Sequence, residues 1–302
     1  MGQSERAEPA AGRNGLGPRL ALASAIVVTL LLWGAAFPLL RAAVKVYSPG
    51  HMALLRFLSA SAAYASYALI ARPPVPRRED WPALVAVGLL GVTGYHVALS
   101  YGLVSVPAGV ASLLVNTAPV FTALLATLWL GERLGARGWL GTAVSFAGVA
   151  LVASSRWAGV SPSLAFLLPL ASAGCWSVSV VLQKPLLAKM SVQAMTSWTV
   201  WIGTIGLLAF APGLVRAVRE APLPVTWSVV YLGVGPIAVA FATWAYVLQR
   251  MEAARASAML YLIPVLATVI AWIWLGEEPA PASVAGGCLI LLGVYVVSAR
   301  RH

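Results

Sequence analysis

Residues 111–156 read ASLLVNTAPVFTALLATLWLGERLGARGWLGTAVSFAGVALVASSR, and residues 256–301 read ASAMLYLIPVLATVIAWIWLGEEPAPASVAGGCLILLGVYVVSARR. Aligned at a constant offset of 145, the two segments share 14 identities in 46 positions, including the Trp-Leu-Gly-Glu strings at 129–132 and 274–277. Each string is flanked on both sides by apolar sequence of membrane length. Duplicated halves in a membrane chain are typical of transporters, in which the substrate binds where the halves meet.

The composition is that of a protein that uses lipid as its solvent. Sixty per cent of the residues are hydrophobic and 10% are charged, whereas about a quarter of a soluble domain is charged. The apolar runs are long and continuous, which favours helices of about 20 residues over the alternating strands of a barrel. They predict ten spans, at residues 20–43, 52–71, 82–104, 110–130, 138–155, 161–183, 192–212, 226–248, 256–275 and 282–299.

The positive charges predict how these spans are oriented. With the N-terminus in the cytoplasm, fourteen Lys and Arg residues fall in cytoplasmic segments and five on the other side. Both termini are then cytoplasmic, which requires an even number of spans. The charges are scattered over loops and form no compact face for nucleic acid. We therefore predict a cytoplasmic disordered tail at 1–19, a first five-helix repeat at 20–156 and a second at 157–302, which ends in a short basic tail.

The repeat extends backwards beyond the quoted segments and pairs most of the spans. The offset of 145 pairs spans 3 and 8, 4 and 9, and 5 and 10, while Trp33 pairs with Trp176 at an offset of 143. Spans 2 and 7 pair weakly, through Ser48 and Ser191. Because each half has an odd number of spans, the second half enters the membrane inverted. The predicted fold is an all-α polytopic membrane protein, with ten transmembrane helices in two inverted five-helix repeats around a central cavity.

Several short motifs resemble the EamA-type members of the drug/metabolite transporter superfamily. They are Leu-Trp-Gly-Ala-Ala-Phe at Leu32–Phe37, Arg56 early in span 2, Val-Pro-Ala-Gly at Val106–Gly109, and the Pro…Leu-Gly-Glu ends of spans 4 and 9. The second half departs from the pattern, because Trp176 lies between Cys175 and Ser177. The resemblance implies two inverted EamA domains around a cavity, and the movement of small metabolites or the export of amino acids and toxic compounds.

The ionisable residues leave proton coupling open. All nine acids lie in tails, loops or span ends, so the buried carboxylate of many proton-driven antiporters is missing. His96, near the middle of span 3, either titrates with protons or substrate, or is a neutral histidine bonded between helices. We place further cavity residues close to His96 in span 3 and close to its repeat partner in span 8. They are Tyr95 and Ser100 in span 3, and Phe241 and Trp244 in span 8.

Spans 4 and 9 carry polar side chains beside a proline. A proline inside a span frees a carbonyl group and bends the helix, and matched kinks favour a site at the cavity. Helix–helix packing is the alternative, since Ser and Asn also join membrane helices. The residues are the pairs Ser112 and Asn116, Ser257 and Tyr261, with the kinks at Pro119 and Pro264.

Aromatic and basic residues complete the predicted site. Trp33 and Trp176, with Phe37, lie deep enough either to line the cavity or to face lipid. Arg41 and Lys184 are predicted at opposite mouths, as gates or as binding sites for carboxylates or phosphates. For Arg56, about one turn inside span 2, snorkelling to the interface is the expected outcome, and binding of a substrate carboxylate or phosphate is the alternative.

These patterns together favour a secondary transporter, acting by alternating access and favouring export, in the inner or plasma membrane. The expected partners are the lipid bilayer and a small-molecule substrate such as an amino acid; nucleic acid and a cofactor are not expected. A homo-oligomer is not predicted, although the glycine stripes of spans 5 and 10 leave self-association open. Transport of anionic solutes is one alternative, and a membrane-embedded enzyme or scaffold is another. No catalytic or metal-binding motif supports an enzyme.

Overall fold

The structure is a computed structural model that describes residues 16–106, 108–154, 164–275 and 280–298; a few side chains within these ranges, named below where they matter, are outside the description. The described residues form helices and no strands. Seven helical segments are long and apolar enough to cross a membrane. A pair of helices joined by a bend makes an eighth span, and two shorter apolar helices bring the number in the described residues to ten. In chain order the spans are Leu16–Ala43, Pro49–Ala71, Arg78–Ser105, Ala108–Val115 with Ala118–Trp129, Ala136–Ser154, Leu164–Lys189, Val192–Leu207, Leu223–Arg250, Ala253–Ala258 with Leu262–Leu275, and Pro281–Ser298.

The helix ends differ from the prediction at several places. The first helix begins at Leu16, so residues 16–19 are helical and the predicted disordered tail at 1–19 is wrong for these four residues. Span 2 begins at Pro49, because Ser48 caps its N-terminus by accepting a hydrogen bond from the backbone N–H of His51. Span 6 continues to Lys189 rather than ending at 183. Span 7 is followed, after a bend of 83°, by the short helix Leu214–Glu220, which hydropathy did not predict because it is polar on one side.

The helices are interrupted at equivalent points in the two halves. A π-helical turn occupies Leu89–Gly94 in span 3, and another occupies Val234–Val239 in span 8, 145 residues later. Span 4 breaks at residues 116–117, and span 9 passes through a 3₁₀ turn at Met259–Tyr261. These breaks confirm that the duplication seen in the sequence is also a duplication of local backbone geometry.

Spans 5 and 10 cross in close contact through glycines. A Cβ atom on Gly141 would lie 2.6 Å from the carbonyl oxygen of Gly293, and one on Gly148 would lie 2.6 Å from that of Gly286. Residue numbers rise along one helix while they fall along the other, so the two helices are antiparallel. The absence of side chains at these four positions lets the backbones touch.

The same crossing locates a pseudo-twofold axis. Gly141 and Gly286 are repeat partners, as are Gly148 and Gly293, so the two glycine contacts exchange under the repeat. Ser145 lies between them, and its hydroxyl donates to the carbonyl oxygen of Ile290, 3.4 Å away and 145 residues later. A residue that contacts its own repeat partner lies on the axis. Since this axis runs across antiparallel helices, it relates an upright half to an inverted one.

The third span of each half packs against the first two spans of the other half. Span 3 packs on spans 6 and 7, and span 8 packs on spans 1 and 2. Gly88 of span 3 faces the carbonyl oxygen of Thr199, while its repeat partner Gly233 faces that of Arg56. Arg56 and Thr199 are themselves paired at the offset of 143 that relates Trp33 to Trp176. The structure therefore pairs spans 2 and 7, which the sequence pairs only weakly.

Candidate functional site

Two tryptophans meet at the centre of the molecule. Trp33 of span 1 and Trp176 of span 6 have ring centroids 5.5 Å apart and planes at 80°, the edge-to-face arrangement that aromatic pairs prefer. Like Ser145 and Ile290, they are a residue and its own repeat partner. The pair therefore marks a second point where the two halves meet, and it rejects the alternative that both rings face lipid.

Further rings surround this pair from spans 3 and 8. Phe241 lies 6.1 Å from Trp33 and 6.2 Å from Trp176, and Trp244 lies 5.8 and 6.1 Å from the same two rings. Tyr95 lies 5.5 Å from Trp176. We call the set Trp33, Tyr95, Trp176, Phe241 and Trp244 the aromatic chamber; the structure brings together all five as the sequence predicted.

His96 lies at the border of the chamber. Its ring is 4.8 Å from that of Tyr95 and 4.7 Å from that of Phe57. Phe57, which the sequence analysis did not select, also lies 6.3 Å from Phe241. An aromatic residue in the middle of an apolar span gives no sequence signal that distinguishes it from core packing.

A polar wall closes the other side of the chamber. The cavity between this wall and the rings of Trp176, Phe241 and Trp244 has about 310 Å³ of empty space, including its open mouth, and has room for about one water molecule. Gln183 donates to the Ser179 hydroxyl, 2.9 Å away, one turn apart on span 6. Sequence analysis missed this wall, because isolated hydroxyls also serve helix packing in membranes. It consists of Gly91, Ser179, Gln183, Thr196 and Thr199.

Three buried donors at the chamber have no hydrogen-bond partner among the described residues. They are Nε of Arg56, Nε2 of His96 and Nε1 of Trp244, and each residue is less than one-tenth exposed. The snorkelling expected for Arg56 is wrong, because only 6% of the residue is exposed. Snorkelling is expected when the alternative for a charged side chain is to face lipid. Arg56 instead lies inside the protein, at a cavity.

The π turn of span 8 is held by side chains of spans 1 and 2. Trp33 Nε1 donates to the carbonyl oxygen of Pro236 at 2.8 Å, and the Tyr64 hydroxyl donates to that of Ala238 at 2.6 Å. A π turn has unusual backbone spacing, and Pro236 has no N–H to donate. These bonds fix the orientation of Trp33 and link the chamber to the backbone of the opposite half.

One end of the molecule is closed by a polar latch, which we define as Glu132, Lys184 and the backbone at 248–254. Glu132 accepts from the backbone N–H groups of Ala253 and Ala254, at 2.8 and 3.1 Å, where span 9 begins. The carboxylate thereby caps the positive end of that helix. Lys184 donates to the carbonyl oxygens of Leu248 and Met251, where span 8 ends. Lys184 thus joins span 6 to the end of span 8. It lies within span 6, whereas the prediction ended that span at residue 183.

The remaining predicted residues lie at several places. Tyr261 is fully buried in a cluster with spans 5 and 10, on the scaffold side rather than in the chamber. Ser257 is buried on a helix that packs against span 4. Ser100 is buried one turn beyond His96, and Asn116 is half-buried at the break of span 4. Both prolines begin the helix that follows a break, Pro119 at its second residue and Pro264 at its third. The side chains of Phe37, Arg41 and Ser112 lie outside the described residues.

The arrangement suits binding rather than catalysis. Within the described residues, no group of three or more His, Cys, Asp or Glu side chains could hold a metal ion. The chamber offers ring faces for apolar groups, hydroxyl and amide groups along one wall, and unpaired donors at its border. In this conformation the cavity has room for about one water molecule, so a larger molecule would enter only if the two halves moved apart.

The sequence matches the EamA-like transporter family twice, over residues 20–154 and over residues 163–299. The chain belongs to this family. EamA proteins form part of the drug/metabolite transporter superfamily, so the resemblance drawn from the short motifs is confirmed. The family is one of transporters and not of enzymes, which agrees with the absence of catalytic motifs from the sequence.

Several curated EamA relatives span nearly the same length. The chain is 38% identical over 280 residues to a Streptantibioticus cattleyicolor protein named "Probable terminal-alkyne amino-acid exporter", covering 91% of this chain and 93% of that one. It is 38% identical over 263 residues to an uncharacterized transporter of Bacillus subtilis, covering 87% and 86%. It is 24% identical over 280 residues to an Escherichia coli "Probable amino-acid metabolite efflux pump", covering 89% and 92%.

A solved crystal structure has the same fold. It superposes with a TM-score of 0.77 at 23% sequence identity, covering 92% of this chain and 96% of the other. Nearly complete coverage of both chains means that all ten spans belong to the shared fold.

Proposed function

We propose that this EamA protein is a secondary transporter that exports small organic metabolites, amino acids and related compounds included, by alternating access. The observation that carries the proposal is the Trp33–Trp176 pair, which places an aromatic chamber on the axis between inverted halves. In such folds the substrate binds at the repeat interface while the halves rock around it. The names of the related exporters support the substrate class.

The proposal includes an orientation in the membrane. We infer from the bias of positive charge that both termini lie in the cytoplasm, with the spans in the inner or plasma membrane. The polar latch then closes the cytoplasmic end, since Glu132 follows span 4. Under the repeat, Glu277 and Arg41 correspond to Glu132 and Lys184, and we assign them to the opposite mouth.

Transport of anionic solutes through Arg41 and Lys184 is less well supported. Lys184 already donates to two backbone carbonyl oxygens, which leaves little of its hydrogen-bonding capacity for a ligand. The buried cation that is not engaged in this way is Arg56, whose role is taken up below.

Transport by purified protein in liposomes tests the proposal. Vesicles loaded with unlabelled L-phenylalanine or L-leucine should accumulate the labelled compound by exchange, and Trp33→Leu should lower the initial rate by about tenfold, since ring contacts contribute roughly 0.5–1.5 kcal/mol each. Trp272→Leu is the matched control, because Trp272 is exposed on span 9. Exchange that is equally fast in both variants would exclude the chamber as the cargo site.

A further inference from the structure

Arg56 is a buried cation whose charge is not balanced by any acid that the structure describes. All five described acids bind elsewhere, and none of their partners is Arg56. A buried unpaired charge is strongly unfavourable unless water or a ligand compensates it. The five acids and their partners are Glu79 with Arg77, Asp80 with Lys189, Glu220 with Arg216, Glu252 with Arg255, and Glu132 with the backbone N–H groups of Ala253 and Ala254.

The pseudo-twofold axis places Arg56 at the chamber. Its repeat partner Thr199 lines the cavity, and Gly233 and Gly88 pack against the backbone oxygens of Arg56 and Thr199 in the same way. The guanidinium also lies within electrostatic range of both Tyr95 and His96. Arg56 therefore lies beside His96 at the border of the chamber, next to the cavity rather than among the residues that line it.

The unpaired atoms around Arg56 define the chemistry of a ligand. Nε of Arg56 and Nε1 of Trp244 can only donate hydrogen bonds, and Nε2 of His96 donates in one of the two neutral tautomers. Two unpaired donors, joined by a third in one tautomer of His96, and one positive charge favour a ligand with acceptor atoms and one negative charge. A carboxylate fits the guanidinium geometry and carries one charge, whereas a phosphate carries nearly two.

We propose that Arg56, assisted by His96, binds the carboxylate of a cargo whose apolar or aromatic part lies among the rings of the chamber. The cargo class is apolar monocarboxylates, which includes α-amino acids with apolar side chains. An ammonium group on the cargo is not required, because no carboxylate among the described residues faces the chamber. This inference rests on the proposed function, since it takes the chamber as the cargo site.

The test compares ligands that share one phenyl group and differ in charge. The probes are 3-phenylpropionate, 3-phenylpropionamide, L-phenylalanine and phenethylamine, added to the purified full chain in lipid nanodiscs. Binding is measured by the change in intrinsic fluorescence of the protein, to which Trp33, Trp176 and Trp244 contribute at the site among its twelve tryptophans. The two carboxylates should bind about tenfold or more tightly than the amide and the amine, because only they form charge-assisted bonds with Arg56.

Three variants assign this preference to Arg56. Arg56→Gln should bind the acid and the amide with similar affinity, and Arg56→Lys should retain part of the preference because the charge remains. Arg219→Gln, which removes a charge from an exposed helix, should retain all of it. A preference that persists in Arg56→Gln would overturn the inference.

The wild-type protein also tests the inference if Arg56→Gln does not fold. Equal affinity of the wild type for 3-phenylpropionate and its amide would exclude Arg56 as a carboxylate-binding residue. This result would not contradict the chamber as cargo site or the proposed transport function. The absence of a fluorescence response to any of the four probes would instead reject the chamber, and with it both the anchor and the proposed function.

Discussion

At the scale of single residues, buried side chains donate hydrogen bonds to backbone carbonyl oxygens of an irregular helix. The Tyr64 hydroxyl bonds the carbonyl oxygen of Ala238 inside the π turn of span 8, and Trp33 does the same for Pro236. Such bonds join the two halves next to the chamber. The bond made by Tyr64 also gives a physical reason for a phenol, rather than a phenyl ring, at this buried position.

The hydrogen bond from Tyr64 to Ala238 can be tested by removing the hydroxyl oxygen of Tyr64 alone. Tyr64→Phe should lower the free energy of unfolding by about 1 kcal/mol, because Ala238 keeps a buried carbonyl oxygen without its donor. Tyr67→Phe is the control, since Tyr67 lies one turn later on the same span and is 41% exposed. Thermal unfolding of both variants in detergent measures the difference. Equal melting temperatures for the two variants would mean that the hydroxyl of Tyr64 contributes nothing.

At the scale of helices, the duplicated sequence predicted the ten spans, their pairing and the aromatic chamber. It could not predict the π turns, because Leu89–Gly94 contains no proline and reads as ordinary apolar helix. It misplaced Tyr261, since an α-helical period puts Tyr261 on the face of Ser257, whereas the 3₁₀ turn at Met259–Tyr261 rotates it towards spans 5 and 10. The burial of Arg56 was missed because hydropathy assigns each residue to lipid or water and does not represent a cavity.

The crossing of spans 5 and 10 offers two adjacent glycines with opposite expectations. A Cβ atom on Gly286 would lie 2.6 Å from the Gly148 carbonyl oxygen, whereas one on Gly287 would meet only a Val265 methyl group, at 3.9 Å. Gly286→Ala should therefore destabilise the protein by about 1–3 kcal/mol, through forced separation of the helices. Gly287→Ala should be neutral or slightly stabilising. Unfolding in mixed detergent micelles compares the two, and a harmless Gly286→Ala would contradict the close crossing.

At the scale of the whole molecule, the two mouths are related by the same axis as the two halves. The polar latch joins span 4, span 6 and the connection between spans 8 and 9 at one mouth. By sequence, Arg41 and Glu277 are the repeat partners of Lys184 and Glu132, and the proposed function assigns them to the other mouth. If the latch at one mouth opens while its counterpart at the other mouth closes, each half adopts the conformation of the other. The access state would then depend on the difference in free energy between them.

Weakening one latch should therefore open its own mouth. Lys184→Met removes the charged donor from the carbonyl oxygens of Leu248 and Met251, a loss of about 1.5–3 kcal/mol that shifts a two-state equilibrium by roughly tenfold or more. A cysteine placed at Ala253, a fully buried residue of the latch itself, reports the opening by its rate of reaction with a polar maleimide. The background lacks Cys175 and Cys288, the two cysteines of the chain. Arg133→Met, which removes an exposed charge beside Glu132, should leave this rate unchanged. If Lys184→Met reacts no faster than Arg133→Met, the contacts of Lys184 stabilise the fold equally in both access states, and the latch does not control access.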